Sequence, residues 1–220
     1  MSAAAQAILK QAPVVPVITI RDINTAVPLA QTLVAGGLPV LEITLRTPEG
    51  LAAIRLIRHE VEGAVVGAGT VLGQGDLDAA LQAGSEFIVT PGLTDNLLRA
   101  GAACGVPFIP GVATVSELMV CLEQGLDTLK FFPAEAVGGA AALKAFGGPF
   151  PQVRFCPTGG IGPANIHQYL ALASVLSVGG SWLTPDDLVA RGDWAAILRL
   201  AREACALVTT LNAEGRGSLP

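Results

Sequence analysis

Lys130 stands in the middle of an apolar run, DTLKFFPAE, with Leu129 before it and Phe131 and Phe132 after it. A lysine is almost never fully buried unless something pairs with it or uses it. A second charge breaks another apolar run: Glu42 in LEITLR, followed at alternate positions by Thr44 and Arg46. Strand side chains alternate between two faces. Glu42, Thr44 and Arg46 therefore share one face, and Leu41, Ile43 and Leu45 the other. By the same parity Thr128, Lys130 and Phe132 lie together, opposite Leu129 and Phe131. A lysine and a glutamate on the inward faces of two strands would meet. One outcome is a structural ion pair, a serious competitor for Glu42 taken alone. The other is a nucleophilic amine with an acid–base partner. Desolvation disfavours an ammonium, and the neutral amine attacks a carbonyl to form a Schiff base. A carboxylate in contact would oppose that, so Glu42 is expected to act at a distance from Lys130, through a water.

Two further segments, PTGGIGPAN and SVGGSWL, are Gly-Gly turns leading into helical patterns. Backbone N–H groups at such turns cradle phosphate oxygens, and glycine lets the backbone approach. Gly159, Gly160 and Gly180 would supply those amides, and Ser181 a hydroxyl donor. One Gly-Gly pair is weak evidence; two at consecutive strand ends are more specific. Thr70 of VGAGT is either a helix cap or a substrate donor, and Pro91 of TPGLT stands at the mouth.

What must position these groups is a repeating frame. Eight β-rich apolar runs recur at 13–20, 39–45, 64–70, 86–90, 107–112, 128–132, 153–158 and 174–180. Their centres lie roughly 21 to 26 residues apart, the length of a strand, a helix and two short loops. The intervening segments read as helices. TVSELMVCLEQG opens with Thr114 and Glu117 in a capping-box spacing and stops at Gly125. NTAVPLAQTLVAGG ends at Gly36 and tolerates Pro28 because it lies in the first turn. Eight such units predict an α/β chain folded as a (β/α)₈ TIM barrel, rather than an open doubly wound sheet. An extra N-terminal helix, about residues 3–11, is expected across the barrel bottom. One domain over residues 1–212 and a flexible tail over 213–220 complete the expected organisation.

Composition narrows the function. Of 220 residues, 51% are hydrophobic and 14% charged, and the net charge is −5. That supplies a closed core and argues against nucleic-acid partners. No unbroken stretch is long enough to span a membrane, and no basic segment precedes an apolar one at the N-terminus. Cys104, Cys121, Cys156 and Cys205 are scattered without a CxxC pair, and read as reduced packing residues of a cytoplasmic protein. His59 and His167 lack ligand spacing, so no metal site is expected.

Together PVVPV, TLVAGG, VLEITLRT, VGAGTVL, PGLT, IPGVATVSEL, KFFPAE, RFCPTGGI and GGSWL closely resemble 2-keto-3-deoxy-6-phosphogluconate aldolases, Schiff-base enzymes of the Entner–Doudoroff pathway. The resemblance runs from about residue 13 to 205. It implies a (β/α)₈ barrel, a homotrimer, no cofactor, and a phosphorylated keto acid, pyruvate and glyceraldehyde 3-phosphate as small-molecule partners. It also implies roles: Lys130 forms the imine, Glu42 is the general acid–base, and Arg46 and Thr70 bind the pyruvate carboxylate. Thr158 contacts substrate hydroxyls, Phe132 and Pro91 line the pocket, and Gly159, Gly160, Gly180 and Ser181 bind phosphate. Gly162 departs from the serine expected after TGGI, and Val137 from a polar residue after PAE. An aldolase for the C4 epimer or for 4-hydroxy-2-oxoglutarate would keep Lys130, Glu42 and Arg46. A phosphosugar isomerase would keep the glycine turns but need no imine, and a non-catalytic binding barrel would need neither.

Overall fold

The computed structural model describes residues 2–215, and side chains over 3–207. Every one of the eight apolar runs contains strand. These are β1 (Val14–Ile18), β2 (Val40–Thr44), β3 (Val65–Gly69), β4 (Ile88–Val89), β5 (Phe108–Ile109), β6 (Gly111–Val112), β7 (Thr128–Phe131), β8 (Arg154–Pro157) and β9 (Val178–Gly180). The fifth run yields two strands because Pro110 carries no N–H for the ladder. All pairings are parallel. One sheet has the order β5-β4-β3-β2-β1-β9 and a second β6-β7-β8. Isolated bridges join Phe155 to Val175 and Thr158 to Gly179, so the β8 side of the second sheet meets the β9 edge of the first. The result is an α/β fold around a curled parallel sheet.

Helices fill the connections: α1 (Ser2–Leu9), α2 (Ala26–Ala35), α3 (Gly50–Glu60), α4 (Gln74–Gln82), α5 (Asp95–Ala103), α6 (Val115–Glu123), α7 (Gly139–Phe146), α8 (Ile166–Leu170), α9 (Asp186–Arg191) and α10 (Trp194–Gly215). The Thr114–Glu117 capping box forms at the start of α6, and α2 stops at Gly36. No helix among the described residues is long and apolar enough to cross a membrane. Residues 213–215, the start of the expected tail, belong to α10; residues 216–220 lie outside the described residues.

Alternation sorts the strand side chains into two apolar groups. Ile18, Leu41, Ile43, Leu129, Phe131 and Phe155 face the helices and join Leu33, Ile54, Ile57 and Leu118 in the main core. Phe131 stacks edge-on against Phe146 of α7 and Phe155 of β8. Val15, Val40, Phe87, Val89, Ile109 and Cys156 point the other way and pack together. Ala5 and Leu9 of α1 join that inner cluster, and Gln6 Nε2 donates to Asp127, just before β7, at 3.5 Å. The N-terminal helix thus lies across the N-terminal ends of the strands. The C-terminal ends stay free for chemistry.

Candidate active site

Above the inner apolar cluster the inward positions turn polar. Lys130 Nζ lies 3.0 Å from Glu42 Oε1, and the two side chains are 5% and 3% exposed. Every other ion pair given by the described residues has an exposed arginine, so this pair alone is dry. Register explains the meeting. Glu42 stands beside Val17 on β1 and Gly67 on β3, while Lys130 stands beside Gly111 and Cys156. The carboxylate has space because of Gly69, where an added Cβ would lie 2.2 Å from Glu42 Oε1. The expected water between amine and carboxylate is therefore corrected to a direct contact. A buried ammonium is held only if a partner offsets its lost hydration, and the carboxylate does this.

The surroundings keep the pair dry. The amine sits 5.4 Å from the centroid of the Phe132 ring, within cation–π range. Beneath it, burial pushes the Cys156 thiol up to about 11 against the opposing hydrogen bond from Ser177, with Glu42 raising it further and Lys130 lowering it. That thiol stays protonated and acts as neutral packing. Pro91 follows Thr90, whose Oγ1 accepts from the Gly111 amide at 3.1 Å; Gly111 is the register partner of Lys130. Pro91 is thus held one strand away from the amine.

Arg46 and Thr70 meet at the rim. Arg46 Nε donates to Thr70 Oγ1 at 3.2 Å. Thr70 has φ 59, a left-handed conformation rare outside glycine. Helix α4 starts at Gln74 with Gly73 as its cap, which removes the helix-cap reading of Thr70. Since Thr70 accepts from the guanidinium, its own proton is free for another acceptor. Both terminal nitrogens of Arg46 stay available for a planar carboxylate.

The two glycine turns come together where β8 and β9 end, through the Thr158–Gly179 bridge. Gly159 and Gly160 have φ 105 and 76, which a side chain would strain. Gly180 and Ser181 close the other side of this pair of turns, at the end of β9.

Three supporting residues had no role assigned from sequence. Asn165 stitches the first turn: Oδ1 accepts from the Gly162 amide at 2.8 Å, and Nδ2 donates to Gly160 O at 3.0 Å. The missing serine at 162 thus has its amide held by Asn165. The Glu135 carboxylate accepts a hydrogen bond from the buried Tyr169 hydroxyl, while its amide donates to Gly159 O at 3.1 Å. Burial, and then the bond and charge of Glu135, push the Tyr169 phenol upward, so it remains a donor. Only the position of Glu135 in KFFPAE and of Asn165 in TGGIGPAN pointed to them. Val137 packs against the core instead of offering a polar group.

A parallel α/β frame with an amine–carboxylate pair at its strand ends is the setting of an aldolase, a carbon–carbon lyase, and comparison with known proteins makes this chain one. Residues 5–200 match the family model for KDPG and KHG aldolase. The KHG/KDPG aldolase of Escherichia coli (strain K12) is 56% identical over 200 residues, 91% of this chain and 94% of that protein. A KDPG aldolase of Legionella pneumophila, solved with pyruvate captured at low pH as a covalent carbinolamine intermediate, superposes with TM-score 0.90 at 45% identity. The match covers 91% of this chain and 98% of that one. The 2-keto-3-deoxy-6-phosphogluconate aldolase of Zymomonas mobilis ZM4, solved with 3-phosphoglycerate, has TM-score 0.89 at 50% identity, over 94% and 97% of the two chains. The chain belongs to the KDPG and KHG aldolase family.

Proposed function

We propose that this aldolase reversibly cleaves 2-keto-3-deoxy-6-phosphogluconate to pyruvate and D-glyceraldehyde 3-phosphate through an imine on Lys130. The observation that carries the reading is the dry Lys130–Glu42 contact at 3.0 Å. Glu42 takes the ammonium proton, and the freed amine adds to the C2 ketone. Glu42 returns that proton to the carbinolamine hydroxyl, which leaves as water, and the resulting iminium draws the electrons of the C3–C4 bond. A carboxylate at Glu42 takes the C4 hydroxyl proton as that bond breaks, and the aldehyde leaves. Glu42 gives the proton it took from the C4 hydroxyl to C3 of the enamine, and water adds to the iminium to release pyruvate and restore the Lys130 ammonium beside the Glu42 carboxylate. The captured carbinolamine in the Legionella protein supports the covalent step. Borohydride added to enzyme and pyruvate tests it: a reduced adduct on Lys130 is the expected product, and its absence sinks the imine.

Arg46 and Thr70 hold the pyruvate carboxylate in this reading. Arg46→Lys keeps the charge but loses the planar two-nitrogen fork. It is expected to raise KM for pyruvate in the condensation direction about tenfold, with a smaller change in kcat. Gly159, Gly160, Gly180 and Ser181 hold the phosphate, and Thr158 faces the substrate hydroxyls. The Glu135–Tyr169 bond braces that turn from below. Tyr169→Phe should raise KM for the phosphorylated substrate about fivefold while the borohydride adduct with pyruvate still forms. An equal loss of adduct would mean that Tyr169 supports the whole fold rather than the phosphate turn.

The remaining parts of the reading follow the frame. The two sheets act as one (β/α)₈ barrel, supported by the fifth run pairing to β4 on one side of Pro110 and to β7 on the other, and by the β8–β9 bridges. One domain over residues 1–212, a cytoplasmic location and a homotrimer belong to the same proposal. The exposed apolar side chains Leu72, Val115 and Met119 offer surface for subunit contact. The Escherichia coli relative bears both the KHG and KDPG names, which favours 4-hydroxy-2-oxoglutarate as a second, slower substrate.

A further inference from the structure

The steps above leave one inward hydroxyl pair unused. Thr19 follows β1 and keeps the inward parity of Val15 and Val17. The β1–β2 register, Val17 beside Glu42 and Ile18 beside Ile43, sets it beside Thr44. The two hydroxyl oxygens are 2.9 Å apart. Each hydroxyl carries one proton. Buried Thr44 Oγ1 also lies 3.0 Å from Ile18 O, and a carbonyl oxygen only accepts, so the Thr44 proton is spent there. Thr19 must then donate to Thr44. With its proton committed, Thr19 Oγ1 offers lone pairs alone to anything else. Thr19 is half-buried and lines a cavity of about 180 Å³ with Arg21, Asp22, Thr25 and Asp186. An acceptor held in this way suits a ligand hydroxyl and repels phosphate or carboxylate oxygens, which are acceptors too.

Position narrows the choice of hydroxyl. Strand β1 lies between β2, which carries Glu42, and β9, which ends at Gly180. Carried one residue beyond Pro16 and Gly180, the β1–β9 register sets Ser181 beside Val17. Thr19 therefore stands on the wall between the carboxylate that takes the C4 hydroxyl proton and the turn that takes the C6 phosphate. The group between those two on the substrate is the C5 hydroxyl. The geometry points to Thr19 Oγ1 as the acceptor for that hydroxyl, which is the C2 hydroxyl of glyceraldehyde 3-phosphate. Thr19 is in this way a specificity-determining residue for hydroxylated aldehydes. The inference rests on the aldolase reading above.

The test runs the condensation of pyruvate with two aldehydes, D-glyceraldehyde 3-phosphate and 3-oxopropyl phosphate, which lacks the hydroxyl. Thr19→Val keeps the shape and deletes the oxygen; Thr19→Ser keeps the oxygen. Thr19→Val should lower kcat/KM for the hydroxylated aldehyde roughly tenfold and change the value for the deoxy aldehyde by less than about twofold. Thr19→Ser should recover most of the loss. Equal losses on both aldehydes, or no loss on either, overturn the assignment, because only a direct contact couples the protein oxygen to the substrate oxygen. If pyruvate cannot be trapped on the wild-type protein by borohydride, the aldolase reading falls and this assignment with it. If trapping succeeds and the aldehydes do not discriminate, only Thr19 is reassigned.

Discussion

Lys130→Met is expected to abolish the cleavage, with kcat falling roughly 10⁵-fold or more, since an imine needs a primary amine and, among the described residues, none but Lys130 is placed in the pocket. Adduct formation with pyruvate and borohydride should disappear with it. The variant also carries a structural cost, because Glu42 would be left 3% exposed without its cation. Removing one partner of a buried pair costs about 3–5 kcal/mol, far more than the intact pair contributes. A lower denaturation midpoint is therefore expected alongside the lost activity. The two effects separate in the double variant Lys130→Met, Glu42→Gln. With no buried charge left, most of the stability should return, as urea unfolding would measure. Activity should not return. If the double variant were no more stable than Lys130→Met, the instability would come from lost packing of the lysine stem, not from an orphaned carboxylate.

The same pair marks where sequence reasoning reaches and where it stops. Alternation in TLKFF and LEITL assigns Lys130 and Glu42 to the inward face, because that depends only on the two-residue period of a strand. It carries no height along the strand. Whether the two meet directly depends on the stagger of six strands, β1 to β3 and β6 to β8, and on the room left by Gly69, both tertiary facts. Hence the expected water gave way to a contact. The strands themselves were legible as eight runs, but Pro110 divides one of them, and β4 and β5 shrink to two residues each. Local chemistry was legible where it was local, as with the Thr114–Glu117 box. The Glu135–Tyr169 bond spans 34 residues and joins a 3₁₀ turn at Glu135–Val137 to a short helix, so no periodicity foretells it. Thr19 was hidden for another reason: a threonine within a β-rich run is ordinary strand composition. Only its bond to Thr44 gives its oxygen a direction.

Glu42→Gln should lower kcat for cleavage about 10³-fold, within the span that a positioned acid–base group contributes. The amide keeps the shape and still accepts a hydrogen bond from Lys130, so the stability loss should be smaller than for Lys130→Met. What it cannot do is take a proton. Two steps need that: release of the ammonium proton before attack, and removal of the C4 hydroxyl proton as the C3–C4 bond breaks. These have different signatures. The first concerns pyruvate alone, so adduct trapping should slow yet go to completion. The second concerns only the six-carbon substrate, so cleavage should suffer beyond the slowing of trapping. If trapping and cleavage slowed by the same factor, Glu42 would serve the amine and not the bond-breaking step. If cleavage fell less than about tenfold, the structural ion pair would be the better account of why a glutamate and a lysine share the dry centre of this fold.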